Sequence, residues 1–242
     1  MRIITVSKTS STNSYLKDLH QEKPFSETVC VYAISQTAGR GQQGASWQAN
    51  AGENLTFSIL FPDLNCAIED QFKLNQLVSL LLLGVLEDKN IQNLMLKWPN
   101  DIMADGLKLG GILIENSISN GKLKDVLVGI GLNVNQTEFV NLPKATSMKL
   151  QLTFETFLKP LLAEILSAFE NFGAQLRMHS SQRIKTDYEA VLFRNGVISV
   201  FEDVHQQKFN GIIKGVSHQG QLLVDTQDAI KAFGLKEITL KY

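Results

Sequence analysis

The residues best suited to chemistry fall in two clusters, and the first surrounds a single arginine. Arg40 lies in GRGQQG (residues 39–44) and is the only cation between residues 36 and 54. A guanidinium among small residues and free backbone N–H groups is suited to a bidentate contact with a phosphate or carboxylate. Trp47 follows and is placed to cover a ring. We therefore expect an anion-binding loop here; a glycine hairpin without chemistry, and core packing for Trp47, are the alternatives.

The second cluster combines carboxylates and lysines in KWPND (residues 97–101) and DGLKLGG (residues 105–111). We expect Asp101 and Lys108 to lie near each other across a hairpin. Lys108 precedes a Gly-Gly pair at the start of a strand, which indicates close approach of the backbone to a ligand. A solvated turn lysine and a turn carboxylate are the alternatives. Asn133 follows two glycines within a predicted strand, and a buried amide there needs a partner, either a ligand or a metal-bound water.

Several other kinds of active site are disfavoured by spacing. The glycine segment matches G-x-G-x-x-G, but a dinucleotide-binding loop must open a helix, and residues 47–54 lead into a strand. A P-loop needs a lysine where this chain has Ala45. No G-x-S-x-G, H-E-x-x-H or protein-kinase element occurs, and the four histidines show no ligand spacing. Serine hydrolase, zinc hydrolase and kinase activities therefore have little support.

Charge and composition narrow the class of protein further. The 242 residues carry 23 Lys and Arg against 24 Asp and Glu, a net charge of −1, which disfavours sequence-independent nucleic-acid binding. Cys30 and Cys66 form no C-x-x-C pair, so a disulfide scaffold and a zinc ribbon are disfavoured. No signal peptide is apparent, and the most hydrophobic stretch, residues 77–86, is too short to span a bilayer. We expect a cytoplasmic protein without membrane or nucleic-acid partners.

The elements that must position these residues follow from periodicity and turn signals. N-cap residues at 10–13 predict a short helix, and apolar spacing predicts helices over 70–89 and 153–178, the latter with a kink or later start at Pro160. Composition predicts a mobile loop without helix or strand over 36–54. Apolar or alternating runs predict strands over 29–35, 55–61, 94–98, 110–115, 125–134, 197–201, 209–215, 221–224 and 237–240. The last four form a small all-β unit, so we expect two domains, 1–192 and 193–242.

Taken together, these segments resemble biotin protein ligase, the enzyme family that attaches biotin to a lysine of carboxylase carrier domains. The matching pieces keep the family's order over about the first 135 residues: S-T-N at 11–13, Q-x-A-G-R-G at 36–41, G-x-x-W at 44–47, N-L at 54–55, KWPND at 97–101, K-L-x-G-I-L-x-E at 108–115 and G-x-G-x-N at 129–133. The resemblance implies an α+β fold: a mixed sheet packed with helices, like the class II aminoacyl-tRNA synthetase core, followed by a small SH3-like β-barrel.

The resemblance also implies roles for individual residues. Biotin contacts fall on Ser11, Thr12, Asn13, Gln36, Gly39, Arg40 and Gly111. Contacts to ATP or the adenylate fall on Arg40, Gly41, Gln42, Trp47, Lys108 and Asn133. Arg40 and Lys108 are expected to offset negative charge when the biotin carboxylate meets the α-phosphate of ATP. Asp101 is expected to help remove the proton from the target lysine, which is mostly protonated near neutrality.

The implied reaction joins biotin to a biotin carboxyl carrier protein through biotinyl-AMP, with Mg²⁺ accompanying ATP. Many family members have a second arginine where this chain has Gln42, so we predict a weaker grip on the adenylate and faster loss of it. A lipoate–protein ligase and a non-catalytic biotin-binding module are the alternatives. A DNA-binding repressor is disfavoured because Ser11 lies too near the start to leave room for a helix-turn-helix domain. The resemblance also allows a homodimer.

Overall fold

The computed structural model describes residues 1–242, and two sheets, a short hairpin and six α-helices make up the fold. The strands are β1 Arg2–Thr9, β2 Val29–Gln36, β3 Gly39–Arg40, β4 Ser46–Trp47, β5 Leu55–Phe61, β6 Cys66–Ala67, β7 Leu94–Lys97, β8 Asp101–Ala104, β9 Leu107–Ser119, β10 Lys122–Leu132, β11 Ile198–Asp203, β12 Lys208–Val216, β13 Leu222–Asp225, β14 Ile230–Phe233 and β15 Ile238–Lys241. The helices are α1 Thr12–Glu22, α2 Gln71–Glu87, α3 Met148–Leu152, α4 Leu158–Ala168, α5 Phe172–Met178 and α6 Ser181–Ala190.

The main sheet is mixed and has the strand order β1-β2-β5-β10-β9-β8-β7, with β6 also paired to β10. Only β1 and β2 run parallel; the other pairs are antiparallel. The predicted mixed sheet packed with helices is therefore confirmed.

Helices cover both faces of this sheet. Along β2, Val29 and Val31 pack with Leu16 of α1, whereas Cys30 and Tyr32 belong to a larger apolar cluster that includes α2. Successive side chains of a strand point to opposite faces, which explains this division. The face that carries α1 also carries the polar site, while the α2 face is filled by the core.

Helix α1 begins at its predicted cap. Ser11 has extended backbone, and its hydroxyl accepts a hydrogen bond from the Ser14 N–H at 3.4 Å. Such a cap satisfies one of the N–H groups that have no partner within the helix. Ser11, Thr12 and Asn13 are nearly completely buried. The first turn of α1 is thus held against the sheet, with its polar side chains directed inward.

The second sheet is antiparallel, with the order β14-β13-β12-β11-β15. Phe201, Ile213 and Leu222 of this sheet belong to the same buried apolar cluster as α2. Trp98 Nε1 also donates a hydrogen bond to Gly220 O at 2.8 Å across the junction. One continuous core therefore holds the two sheets together.

Two predictions about secondary structure are wrong. Residues 36–54 were expected to lack regular structure, but β3 and β4 pair there and a 3-10 turn occupies Gln42–Gly44. The single helix expected over 153–178 is instead two helices, α4 and α5, separated by a break. The later start that Pro160 predicted is confirmed, because α4 begins at Leu158 and Pro160 lies in its first turn. The break allows Phe169 and Phe172 to pack on Phe61, with ring centroids 6.4 and 4.6 Å away.

Other elements were not predicted at all. These are β1, β6, β8, α3, α6 and β14, most of which are short or lack a clear apolar period. The remaining predicted elements are found within a few residues of their expected bounds, and β5 coincides with its prediction. No helix of this fold combines the length and the apolar character that crossing a membrane requires.

Candidate active site

A cavity of about 370 Å³ lies between the α1 face of the main sheet and the second sheet, and its floor consists of glycines. Gly111 on β9 pairs with Gly131 on β10, and Gly129 lies two residues along the same face. A Cβ on Gly131 would lie 2.3 Å from Trp47 Cε2, and one on Gly129 would lie 2.4 Å from Asn13 Oδ1. A side chain at either position would displace Trp47 or Asn13, so glycine lets these two side chains pack directly on the backbone of the sheet.

One wall of the cavity is a run of polar contacts from β2 to β9. Gln36 Oε1 accepts hydrogen bonds from the Thr12 backbone N–H at 2.8 Å and from its hydroxyl at 3.2 Å. Ser58 Oγ lies 2.7 Å from Thr12 Oγ1 and 2.5 Å from Asn13 Oδ1. Asn13 Nδ2 donates to Glu115 Oε2 at 2.7 Å. These mutual contacts fix the side chains before any ligand arrives.

Arg40 lies at the end of this polar run. Its Nη2 is 2.9 Å from Glu115 Oε2, the same oxygen that accepts from Asn13. Pairing of Arg40 with Ser46 across the β3–β4 hairpin holds the backbone in place. The Arg40 side chain is 45% exposed, and an ion pair so open to water is worth about 1 kcal/mol or less. An incoming carboxylate or phosphate can therefore recruit the guanidinium at little cost.

A second charged group lies where β7, β8 and β9 meet. Asp101 Oδ1 is 2.6 Å from Lys108 Nζ, and Asp101 Oδ2 is 3.4 Å from Lys97 Nζ. The predicted proximity of Asp101 and Lys108 across a hairpin is thus confirmed. The Asp101 side chain is 13% exposed and the Lys108 side chain 38%. Two ammonium groups share one carboxylate, so this corner carries a net positive charge that faces the cavity.

Trp47 covers Gly131 and closes part of the cavity. Its ring lies 6.0 Å from Lys108 Nζ. Its Nε1 is buried and has no hydrogen-bond partner. A buried N–H without a partner is costly, and an acceptor atom on a ligand would satisfy it. The indole is therefore placed to contact a ligand both by its face and by its N–H group.

The second sheet supplies the remaining wall. Leu235 and Leu240 contribute apolar surface, and behind them Phe201, Ile213 and Leu222 belong to the buried core. Lys236 Nζ reaches the glycine loop and donates to Gln43 O at 2.7 Å. The Tyr242 ring centroid lies 5.4 Å from Lys97 Nζ. Burial raises the pKa of the Tyr242 hydroxyl, and the negative charge of Asp101 raises it further, so this phenol stays neutral at physiological pH.

The predicted site residues come together with two exceptions. Those on the cavity wall are Ser11, Thr12, Asn13, Gln36, Arg40, Gly41, Gln42, Trp47, Asp101, Lys108 and Gly111. Gly39 lies behind the wall, where a Cβ would be 2.4 Å from Trp47 O, so its role is to let the hairpin close. Asn133 lies outside the cavity and donates from Nδ2 to Thr146 O at 2.9 Å. A nucleotide contact for Asn133 therefore stays a prediction.

Sequence reasoning assigned no role to several residues of the site. Ser58 is completely buried, and its hydroxyl contacts the side chains of Thr12 and Asn13. A hydroxyl within the largely apolar run LTFSILF was a signal in the sequence that could have identified it as a site residue. Glu115 belongs to a quoted motif, but its contacts with Asn13 and Arg40 span 102 and 75 residues. Lys236 lies in the tail, where no pattern in the sequence points to the loop it contacts.

The residues present do not form a protein site for a metal ion. No group of three or more His, Cys, Asp or Glu side chains is arranged to hold one. Asp101 is the only carboxylate on the cavity wall, and it already contacts two lysines. Mg²⁺ prefers several oxygen ligands in octahedral geometry, which one shared carboxylate does not supply.

This geometry can be compared with known proteins. A model of the Biotin/lipoate A/B protein ligase family matches residues 5–133. The bifunctional ligase/repressor BirA of Bacillus subtilis is 30% identical over 223 residues, which cover 88% of this chain and 66% of the relative. The chain thus spans just under two thirds of the length of that relative. The biotin–[acetyl-CoA-carboxylase] ligase of Paracoccus denitrificans is 27% identical, over 90% of this chain and 92% of the relative.

The fold has solved counterparts as well. A biotin protein ligase from Aquifex aeolicus, in complex with biotin and ATP, superposes with a TM-score of 0.81 at 26% identity. The superposition covers 99% of this chain and 98% of that chain. The likeness therefore includes the second sheet as well as the main one.

Proposed function

Because the chain belongs to the biotin/lipoate A/B protein ligase family, we propose that it joins biotin to a lysine of a biotin carboxyl carrier protein, using ATP. The observation that carries this proposal is the cavity in which Arg40, Lys108 and Asp101 surround a glycine floor. The biotin and ATP bound by the Aquifex aeolicus ligase support it. The intermediate is biotinyl-AMP, and the released products are pyrophosphate and AMP.

The polar wall suits the cyclic urea of biotin. A urea presents two N–H donors and one carbonyl acceptor, and Thr12, Asn13 and Gln36 offer both kinds of partner on the cavity wall. Ligand sites of this kind combine apolar surface with a few fixed polar groups. Gly111 gives the ring access to the backbone, whereas Gly129 makes room for the Asn13 side chain. Biotin therefore lies along the floor, with its carboxylate directed toward Arg40 and Lys108.

The first step forms a mixed anhydride. A biotin carboxylate oxygen attacks the α-phosphorus of ATP, and the bond from that phosphorus to the bridging oxygen breaks, releasing pyrophosphate. Two anions must meet, so positive groups have to offset their repulsion and the charge of the transition state. Arg40 and Lys108 supply this charge, and Trp47 covers the adenine. Lys108 is drawn from Asp101 toward the reacting oxygens as the substrates bind.

The second step transfers the biotinyl group. The neutral amine of the carrier lysine attacks the anhydride carbonyl, the C–O bond to AMP breaks, and an amide forms. The amine arrives as an ammonium ion, loses one proton before it attacks and loses a second as the amide forms. Asp101 accepts the first, because its carboxylate reaches the cavity and loses a partner when Lys108 turns to the substrate, and the second passes to water. AMP leaves as the anion that Arg40 stabilises.

The metal ion enters with its substrate. Phosphate oxygens supply most ligands of Mg²⁺ in nucleotide sites, so the ion is carried by ATP and needs no dedicated protein cage. It neutralises part of the phosphate charge when bound. Since the cavity wall holds one carboxylate, the protein's contribution to phosphate binding comes from its cations.

Finer features of the architecture belong to the same proposal. The catalytic domain comprises residues 1–192 and has a class II aminoacyl-tRNA synthetase-like core, and residues 193–242 form an SH3-like barrel. The pairing of β11 to β15 only among themselves supports this division. The continuous apolar core suggests that the two domains act as one body. A homodimer stays a prediction.

One reconstitution tests the proposed function. The protein is incubated with ATP, Mg²⁺, biotin and a carrier domain, and the carrier mass is measured. We expect a biotin adduct on one lysine, together with biotin-dependent exchange of pyrophosphate into ATP. Exchange with lipoate in place of biotin would favour a lipoate ligase. Biotin binding without any exchange would indicate a non-catalytic module, and either result would contradict the proposal.

A further inference from the structure

Lys236 is the one cation on the cavity wall that forms no ion pair. Four cationic side chains line it: Arg40, Lys97, Lys108 and Lys236. The first three pair with Glu115 or Asp101. Lys236 forms no ion pair, and its ammonium donates to the main-chain oxygen of Gln43 at 2.7 Å. Three cations thus have a carboxylate partner, two of them sharing Asp101, while the fourth has none.

The local backbone holds Lys236 in this position. Lys236 has a φ of 66° and Gln43 a φ of 49°, so both lie in left-handed turns that approach each other. The neighbouring carboxylate of Glu237 is turned away and accepts a hydrogen bond from the Gly234 N–H at 2.6 Å. Nothing acidic therefore competes for the Lys236 ammonium, although an acidic residue is adjacent in sequence.

Lys236 contacts the glycine loop, which carries little positive charge of its own. Gln42 is neutral and lines the same cavity, next to the residue whose carbonyl Lys236 contacts. The loop itself contributes only Arg40 as a cation. A lysine from the turn between β14 and β15 reaches the loop across 193 residues of sequence and adds a second positive charge there.

We propose that Lys236 binds the phosphate tail of ATP beyond the α-phosphate, compensating for the neutral Gln42. This inference rests on the proposed function. Arg40 and Lys108 already surround the point where carboxylate and α-phosphate meet. Lys236 lines the cavity beside the loop and is itself exposed to solvent, so a polyphosphate that extends outward from the α-phosphate would meet its ammonium. A charge-assisted hydrogen bond at this place stabilises bound ATP and its leaving group.

Nucleotide affinities test the proposal. In Lys236→Gln we expect the Kd for α,β-methylene-ATP to rise roughly tenfold, which corresponds to about 1.4 kcal/mol. The Kd values for AMP and biotin should stay within about twofold. Lys231→Gln is the matched control, because Lys231 is an exposed lysine of the same sheet that lies outside the cavity. Lys236→Arg should keep the wild-type affinity, since it keeps the charge.

A rescue makes the test sharper. Adding Gln42→Arg to Lys236→Gln should restore most of the lost affinity for α,β-methylene-ATP. An unchanged Kd in Lys236→Gln, an equal loss for AMP, or a loss matched by Lys231→Gln would overturn the proposal. Failure of the wild type to bind the nucleotide or to form biotinyl-AMP would instead contradict the proposed function, so the two failures are distinguishable.

Discussion

The glycine floor allows the two halves of the cavity to be perturbed separately. In Gly131→Ala, the new Cβ would lie 2.3 Å from Trp47 Cε2, whereas ordinary carbon contacts are about 3.5–4.0 Å. The indole must therefore move by about 1 Å or more. Trp47 is only half-buried, so the ring can shift outward while the sheet keeps its pairing.

The expected effect is confined to the nucleotide. Stacking of a base on an aromatic ring is worth about 1–3 kcal/mol, so losing it should raise the Kd for ATP roughly tenfold or more. The Kd for biotin should change by less than about threefold. Gly129→Ala should do the reverse, because its Cβ would lie 2.4 Å from Asn13 Oδ1 and would displace the polar wall.

Titration calorimetry with ATP and with biotin measures both constants, and circular dichroism checks that each variant is folded. Gly84→Ala is the control: it lies in α2 with nothing within 4 Å of its Cβ, and alanine favours a helix. If folded Gly131→Ala bound ATP as tightly as wild type, Trp47 would not cover the nucleotide. If both variants lost both ligands equally, the division of the cavity would be refuted.

Four further outcomes are expected. Lys108→Ala should lower the rate of adenylation at saturation by about 100-fold or more while biotin affinity changes little; the reverse pattern in stopped-flow and binding assays would remove the assigned role. Asp101→Asn should slow single-turnover transfer from preformed adenylate, and normal transfer would exclude Asp101 as the proton acceptor. Gln42→Arg should lengthen the half-life of bound biotinyl-AMP, and equal half-lives would refute a leaky loop. Burial raises the pKa of Asp125, but hydrogen bonds and nearby cations outweigh this effect, and the net shift of the pKa is downward. The ionised carboxylate therefore stabilises the fold above the ordinary carboxyl pKa, and this stabilisation is lost as the pH falls through the lowered pKa. Urea unfolding should find Asp125→Asn less stable than wild type at pH 7 and equally stable in strong acid.

Local patterns predicted the parts of the fold that local forces decide. The run LTFSILF is apolar except for Thr56 and Ser58, and it forms β5 as expected, because a strand buried on both faces needs no alternation. Asp101 and Lys108 are only seven positions apart, so a hairpin brings them together, as the sequence suggested. The break between α4 and α5 was not visible, because it depends on the packing of Phe169 and Phe172 against the distant Phe61.

The sequence predicted most individual residues of the site, but not the hydrogen bonds and ion pairs that connect them. Asn13, Arg40 and Glu115 lie in three separate segments, and their shared carboxylate oxygen appears only when β9 and α1 are placed side by side. Asn133 was expected near the nucleotide, yet its amide is used to hold Thr146 O. Polar residues in or directly after strands thus indicate a partner without indicating whether that partner is ligand or protein.

The glycine floor also limits how this protein could be redesigned for larger ligands. Pockets are commonly enlarged by trimming a side chain, but Gly111, Gly129 and Gly131 have none to trim. Space for a bulkier analogue of biotin must come from the walls, where Leu113 is an apolar side chain that can be shortened without touching a charged group. Selection for new substrates should therefore collect its substitutions in the walls and leave these three positions unchanged.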